Sequence, residues 1–367
     1  MTHPDQTDAT EQGPITLSGM GSLYFGGRVI KDQHGDTFHG DHGYAQYFIP
    51  AEARDLPLIF WHGAGQSGKS WESTTDGRDG FWQIFSRRNW PLYIIDQPRR
   101  GRAGRAILDG SPDAVLPNLE SESLTWSTFR LGSWQPPGAP RFFPGTQFPT
   151  DDYSVDQFFR QQTPNTGPEP FPDAGHRGFM GDAVADLVDQ VGPAVLVTHS
   201  HSAQYGWATL AKRPNLLKAV VSFEPGEFAF PADEPPADIP TSSEVLTSFM
   251  APQLMPAEDF AALTRVPILL ILGDNISADP DDDFGVELWR MVRLRAQQFV
   301  SAINARGGDA TLLELAEAGL KGNSHFPFAD KNNVDVADLV SDFLAQKGLD
   351  HRNAPHQGPR RRLPATG

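Results

Sequence analysis

Short apolar runs without polar alternation punctuate the chain: Leu56–Trp61, Leu92–Ile95, Ala194–Thr198, Ala219–Phe223 and Ile268–Leu272, with Thr311–Leu315 as a weaker candidate. Such runs fit strands covered on both faces, as in a parallel sheet. Ahead of them, Ile15–Phe25 and Tyr44–Ile49 read as antiparallel strands flanking the His/Asp/Gly-rich segment Asp32–Gly43. Between the runs, Asp182–Gln190 and Ala203–Arg213 read as helices, the second stopped by Pro214. Near the end, Val336, Leu339, Val340, Phe343 and Leu344 fall on one helix face, with Gly348 as a stop. Strand–helix alternation of this kind predicts an α/β protein, with a doubly wound, mostly parallel sheet and an antiparallel N-terminal edge.

Two stretches break the alternation. Residues 106–179 are rich in Pro, Gly and aromatics, including Trp126, Phe129, Trp134, Phe158, Phe159 and Phe171. A structureless loop of that length is improbable in a compact domain, so the segment reads as an inserted cap. Residues 228–264 form a second, Pro-rich insertion. The core then comprises residues 15–105 and 180–349, with disordered ends at 1–14 and 350–367. The final Leu363–Gly367 (LPATG) matches a sortase recognition pentapeptide, but no apolar anchor follows it and no sorting role is read into it.

The longest apolar stretch, Val266–Leu272, is seven residues and broken by Pro267, too short to cross a bilayer. The formal net charge of −16 disfavours nucleic acid and anionic membranes as partners. With no Cys in the chain, disulfides, thiolate nucleophiles and Cys-ligated metals are excluded. The opening Met1–Pro14 is polar and acidic, unlike a secretory signal, so a cytoplasmic location is the simplest expectation, compatible also with a mature secreted form. Asp, His and Ser chemistry remain.

The strongest local signal is Ala194–Gln204, an apolar strand running through Thr198-His-Ser-His-Ser202 into a helix. This is the setting of a nucleophile elbow, a sharp turn that projects Ser200 above the sheet. Gly usually flanks such a nucleophile two residues away on both sides; here the flanks are Thr198 and Ser202. His325, in Gly322–Pro327 (GNSHFP) after the last strand and before the last helix, is the candidate base. The base needs a carboxylate to fix its tautomer, and two contend. Asp274 follows Ile268–Leu272; Glu224 directly ends the strand Ala219–Phe223 and is favoured for its longer reach. Ser, acid, His is the α/β-hydrolase chain order. Trp61–Gln66 (WHGAGQ) leaves the first strong strand with small residues, making the Ala64 N–H, with the His201 N–H, the expected oxyanion donors.

Taken together, Gly19–Gly27 (GMGSLYFGG), His62–Trp71 (HGAGQSGKSW), Asp96–Arg105 (DQPRRGRAGR), Thr198–Ser202, Phe223–Pro225 and Gly322–Pro327 resemble a small bacterial serine-esterase branch of the α/β-hydrolase superfamily. They span most of the chain from about residue 15 to 349. The resemblance implies Ser200, Glu224 and His325 as the triad. Where the branch's best-known form has two adjacent disulfide-linked Cys in the oxyanion loop, this chain has Ala64 and Gly65.

Other clusters carry less. Arg99, Arg100, Arg102 and Arg105 could anchor an anionic substrate group, but ion pairing between loop and cap is the plainer account. His34, His39 and His42 with Asp32, Asp36 and Asp41 match no familiar metal-ligand spacing and read as a solvated hairpin loop. Asp279–Gly285 resembles a calcium loop only loosely and reads as an acidic helix start. The cap aromatics serve both as the cap's own core and as pocket lining.

The expected activity is hydrolysis of carboxylic esters through an acyl-enzyme, on small to medium apolar or aromatic esters, without metal or organic cofactor. Amide, lactone or thioester hydrolysis would use the same residues. A Ser at the elbow argues against dehalogenase and epoxide hydrolase chemistry, which use Asp there. A non-catalytic binding protein of the same fold is the competing class. The expected partner is a small-molecule ester, with no nucleic acid and no membrane; a homodimer is left open.

Overall fold

A computed structural model describes residues 13–31, 34, 37–103, 106 and 121–360. β1 (Leu17–Lys31) and β2 (Thr37–Pro50) pair antiparallel as one long hairpin. The hairpin is longer than the sequence suggested, because much of the expected loop Asp32–Gly43 is strand. Its Gly, His and Asp residues carry little β propensity, and tertiary pairing supplies what propensity does not. Asp41, buried and at φ +58°, takes Arg28 at 3.2 Å and Arg99 at 2.8 Å. Among the described residues no group of His, Asp and Glu is placed to hold a metal ion; Asp32 and Asp36 lie outside them.

The apolar runs become β3 (Leu58–Trp61), β4 (Leu92–Asp96), β5 (Ala194–His199), β6 (Leu217–Phe223), β7 (Pro267–Leu272) and β8 (Asp309–Glu314). With the hairpin they form one eight-stranded sheet in the order β1-β2-β4-β3-β5-β6-β7-β8. β2 meets β4 antiparallel, and every pairing from β4 onward is parallel. The doubly wound sheet with an antiparallel edge is as expected.

Alternate residues of the central strands feed opposite faces, as strand geometry requires. Ile59, Trp61, Leu196, Val220 and Leu270 enter one core; Leu58, Phe60, Val197, Val221 and Ile271 enter the other. The helices covering these faces, in chain order, are α1 (Phe81–Arg87), α2 (Glu122–Thr128), α3 (Asp152–Arg160), α4 (Ala174–Val191), α5 (Ser202–Lys212), α6 (Glu244–Phe249), α7 (Ala257–Leu263), α8 (Phe284–Ala305) and α9 (Asn333–Gln346). α4 starts well before the expected Asp182, so the boundary placed at residue 179 falls inside a helix. Asp173 caps it by accepting from the His176 N–H at 2.6 Å, while Gly175, Gly178 and Gly181 masked its helical character in the sequence. The acidic segment before α8 is a helix start: Asp283 accepts from the Gly285 and Val286 N–H groups at 2.9 and 3.1 Å.

Residues 121–173 carry α2, α3 and a two-stranded ribbon of Gly132–Ser133 with Arg141–Phe142. Their aromatics pack on one another and on the core, Trp126 with Phe142 at 4.7 Å and Phe158 with Phe326 at 5.1 Å between ring centroids. The Pro-rich insertion pairs Ala229–Pro231 with Gln253–Met255 in parallel. Part of the tail expected to be disordered is packed: His356 Nε2 meets Tyr93 Oη at 2.8 Å, and the Arg360 N–H donates to the Gln190 carbonyl at 2.8 Å. These polar contacts leave no apolar period to read. Residues 1–12 and 361–367, including the LPATG pentapeptide, lie outside the described residues.

Candidate active site

β5 ends in a turn at Ser200, which sits in the left-handed region at φ +54°, and α5 begins two residues later. A non-glycine residue held there is strained, and surrounding contacts must enforce it. The Ser200 N–H donates to the Phe223 carbonyl at 2.9 Å, and the Ser200 carbonyl accepts from Ala203 at 3.1 Å and Gly226 at 3.2 Å. The non-glycine flanks are accommodated. The Ser202 hydroxyl accepts from the His199 N–H at 3.0 Å and lies 3.1 Å from the Trp61 carbonyl. Thr198 bonds Ser222 through its hydroxyl at 2.8 Å, and its methyl occupies space vacated one turn into α5: a Cβ on Gly206 would lie 2.9 Å from Thr198 Cγ2. The glycine that crowding demands has moved from the flank into the helix.

The structure brings His325 and Glu224 together. His325 Nδ1 lies 3.1 Å from Glu224 Oε2, and both side chains are buried. That bond assigns the proton to Nδ1 and leaves Nε2 as the basic nitrogen. The ring stacks on Phe129 at 5.3 Å and touches Trp289 at 4.6 Å. Burial pushes the imidazole below its ordinary pKa; Glu224 opposes this, and the Arg130 charge adds to the lowering.

Arg130, which sequence reasoning missed, completes the carboxylate's surroundings. Its guanidinium forks onto Glu224, Nη1 to Oε2 at 2.7 Å and Nη2 to Oε1 at 2.8 Å, and lies 4.3 Å from the Trp289 ring centroid. The Gly273 N–H also donates to Glu224 Oε1. Burial alone would raise the Glu224 pKa, but the Arg130 charge and the His325 and Arg130 hydrogen bonds outweigh it and hold the group at about 2. An Arg in a Pro-rich insertion has no local pattern that marks it.

Asp274, the rival acid, does not reach His325. Its Oδ2 accepts from the Gly322 N–H at 2.7 Å, pinning the start of the loop that carries the histidine. Asp330, also missed, pins the same loop from beneath. It accepts from the Ser324 N–H and hydroxyl at 2.7 and 2.8 Å, and burial raises it to about 7 against those bonds.

The expected oxyanion loop approaches the elbow closely: a Cβ on Gly63 would lie 3.0 Å from Ser200 Cβ and 2.8 Å from His199 Nδ1. Among the described residues, neither the Ala64 nor the His201 N–H donates to a protein group. Hydrogen bonds brace this loop: Thr163 N–H to the Gly65 carbonyl at 2.9 Å, Gln66 to Gln162 at 2.8 Å, and Arg100 to the Gln66 carbonyl at 3.1 Å. Ala64, Ser200, His201 and His325 all line one cavity of about 690 Å³. Among the described residues Ser200 Oγ makes no hydrogen bond; contacts of this type often tighten only when substrate binds.

A bacterial esterase solved at atomic resolution is similar to this chain throughout, with 30% identity, coverage of 91% of this chain and 98% of that one, and a TM-score of 0.71. The chain belongs to the α/β-hydrolase esterases. A fungal protein (Fungal sp. strain ATCC 74256) described as a probable secreted lipase is 27% identical over 332 residues, 83% of this chain and 86% of that protein. No profile of a known family matches. The protein is therefore a carboxylic ester hydrolase. No helix among its described residues is long and apolar enough to cross a membrane.

This esterase carries a second polar cluster at the cavity wall. Arg100 pairs with Glu169 at 2.7 Å, so the basic run does bridge loop and cap, as Arg102 with Asp96 at 2.8 Å holds the loop to itself; Arg105 lies outside the described residues. The His201 ring stands between Glu227, 3.2 Å from Nδ1, and the Tyr205 hydroxyl, 3.0 Å from Nε2. Burial lowers its pKa, but Glu227 and Glu169 overcome that and leave it raised.

Proposed function

We propose that ester cleavage runs through an acyl-enzyme on Ser200. As Ser200 Oγ attacks the ester carbonyl, His325 Nε2 takes its proton, and Glu224 stabilises the imidazolium through Nδ1–H. The N–H groups of Ala64 and His201 hold the oxyanion. His325 then protonates the departing alcohol and activates the water that releases the acid. The observation that carries this reading is the 3.1 Å contact between His325 Nδ1 and Glu224 Oε2 beside the left-handed Ser200 turn. Arg130 keeps Glu224 ionised and aimed.

Phe129, Phe159, Leu288, Trp289 and Val292 on the cavity wall favour apolar or aromatic esters of small to medium size. A series of alkanoyl and aryl esters tests this: efficiency rising with apolar bulk until the cavity is filled supports it, and a preference for charged acyl groups contradicts it. The fungal relative is described as secreted, and fractionation of expressing cells separates a secreted location from a cytoplasmic one.

A further inference from the structure

Glu227 is buried, 6% exposed, on the wall of the cavity that holds Ser200. Its Oε1 meets His201 Nδ1 at 3.2 Å, and its backbone carbonyl takes the Trp207 indole N–H at 2.9 Å. Its Oε2 is buried and has no hydrogen-bond partner. Buried carboxylate oxygens are normally satisfied, and one left without a donor is a standing cost to the fold that a bound donor relieves. None of the proposed catalytic steps uses this oxygen. The backbone that carries Glu227 is close to the chemistry: an ideal Cβ on the preceding Gly226 would lie 3.9 Å from the His201 nitrogen, the expected oxyanion donor.

Resting on the serine-esterase reading, we propose that Glu227 Oε2 anchors a subsite for a hydroxyl group on the ester substrate. The charges nearby favour a neutral donor over a cation. Glu169 already has Arg100 at 2.7 Å, His201 stands between the two carboxylates, 3.2 Å from Glu227 and 3.8 Å from Glu169, and Arg177 faces Glu227 electrostatically. Glu227 and Glu169 raise the pKa of His201 against its burial, which favours positive charge between them without any ligand. What the cluster lacks is a donor, not a positive charge. Phe171 and Phe249, packed at 4.6 Å beside His201, flank the same wall and suit the carbon skeleton that carries the hydroxyl.

The test compares kcat/KM for ethyl butyrate with ethyl 3-hydroxybutyrate, and with 2-hydroxyethyl butyrate, so that the two arms place the hydroxyl on the acid or on the alcohol. A cationic analogue, butyrylcholine, whose quaternary ammonium carries charge but no N–H donor, completes the set. The wild-type chain is expected to prefer the hydroxy ester in one arm by about tenfold or more, since a site built to bond a hydroxyl rejects the analogue without it. In Glu227→Leu and Glu227→Ala that ratio falls to within about twofold of unity, whatever the absolute rates. No preference in wild type, an unchanged ratio in both variants, or a larger preference for the ammonium analogue overturns the subsite. Fluorophosphonate labelling of Ser200 is scored in parallel. A labelled Ser200 with a flat ratio contradicts the subsite alone; no label and no hydrolysis of any ester contradicts the serine-esterase reading and the subsite with it.

Discussion

Arg130 and Glu224 form a buried, bidentate ion pair at 2.7 and 2.8 Å, made across the chain from the cap to the end of a core strand. Breaking such a pair by removing one member leaves an uncompensated buried charge, a cost of about 3–5 kcal/mol. Arg130→Met is therefore expected to lose that much in chemical denaturation, and to lose turnover as well. Arg130→Met combined with Glu224→Gln should be more stable than Arg130→Met alone yet remain inactive. A double variant no more stable than the single one would show that the pair does not carry the charge balance.

The acid assignment separates two carboxylates with different work. Glu224→Gln keeps the shape but favours the wrong imidazole tautomer, so kcat should fall about ten-thousand-fold. Asp274→Asn loosens only the loop contacts from the Gly322 and Asn275 N–H groups and should cost less than about tenfold, in line with hydrogen bonds that do not reach His325. Steady-state kinetics on one ester decides it; the reverse ranking would move the acid to Asp274.

The acid limb of kcat/KM reports the base in the free enzyme. His325 must be neutral to accept the Ser200 proton, and burial, the largest influence, lowers its pKa below 6.5. Activity should therefore persist below the pH at which an ordinary imidazole protonates, with the midpoint under 6.5. Glu224, held at about 2, stays ionised throughout that range. A midpoint at 7 or above would show that Glu224 outweighs burial.

The elbow rests on a trade between Thr198 and Gly206. Gly206→Ala brings a Cβ within 2.9 Å of the Thr198 methyl and should destabilise by about 1–3 kcal/mol through overpacking. Thr198→Ala in the same chain should recover part of the loss, giving a coupling of about 1 kcal/mol in a double-mutant cycle. Additive effects would mean that the two positions do not share that space.

Most of the fold was legible because the central strands are buried on both faces and read as unbroken apolar runs, and because the last helix shows its stripe at Val336, Val340 and Leu344. Ser200, Glu224 and His325 could be named as candidates because Ser200 and Glu224 directly follow the strands β5 and β6 and His325 lies in the loop between β8 and α9, where chain order and sheet geometry converge. Arg130, Asp330 and Glu227 could not. Arg130 and Glu227 meet partners far along the chain and Asp330 meets Ser324 within its own loop, and a lone polar residue in a loop has no period to betray it. The length of α4 was hidden by three glycines whose helix propensity argues the other way, and the packed tail by its lack of apolar residues.

The central claim is that Ser200 is the nucleophile activated by His325. Mass-spectrometric mapping of a fluorophosphonate adduct tests it most directly. The predicted result is a single adduct on the peptide containing Ser200, abolished in Ser200→Ala together with ester hydrolysis, and formed at least about a thousandfold more slowly in His325→Ala. An adduct on a different serine, or hydrolysis that survives Ser200→Ala, would contradict it.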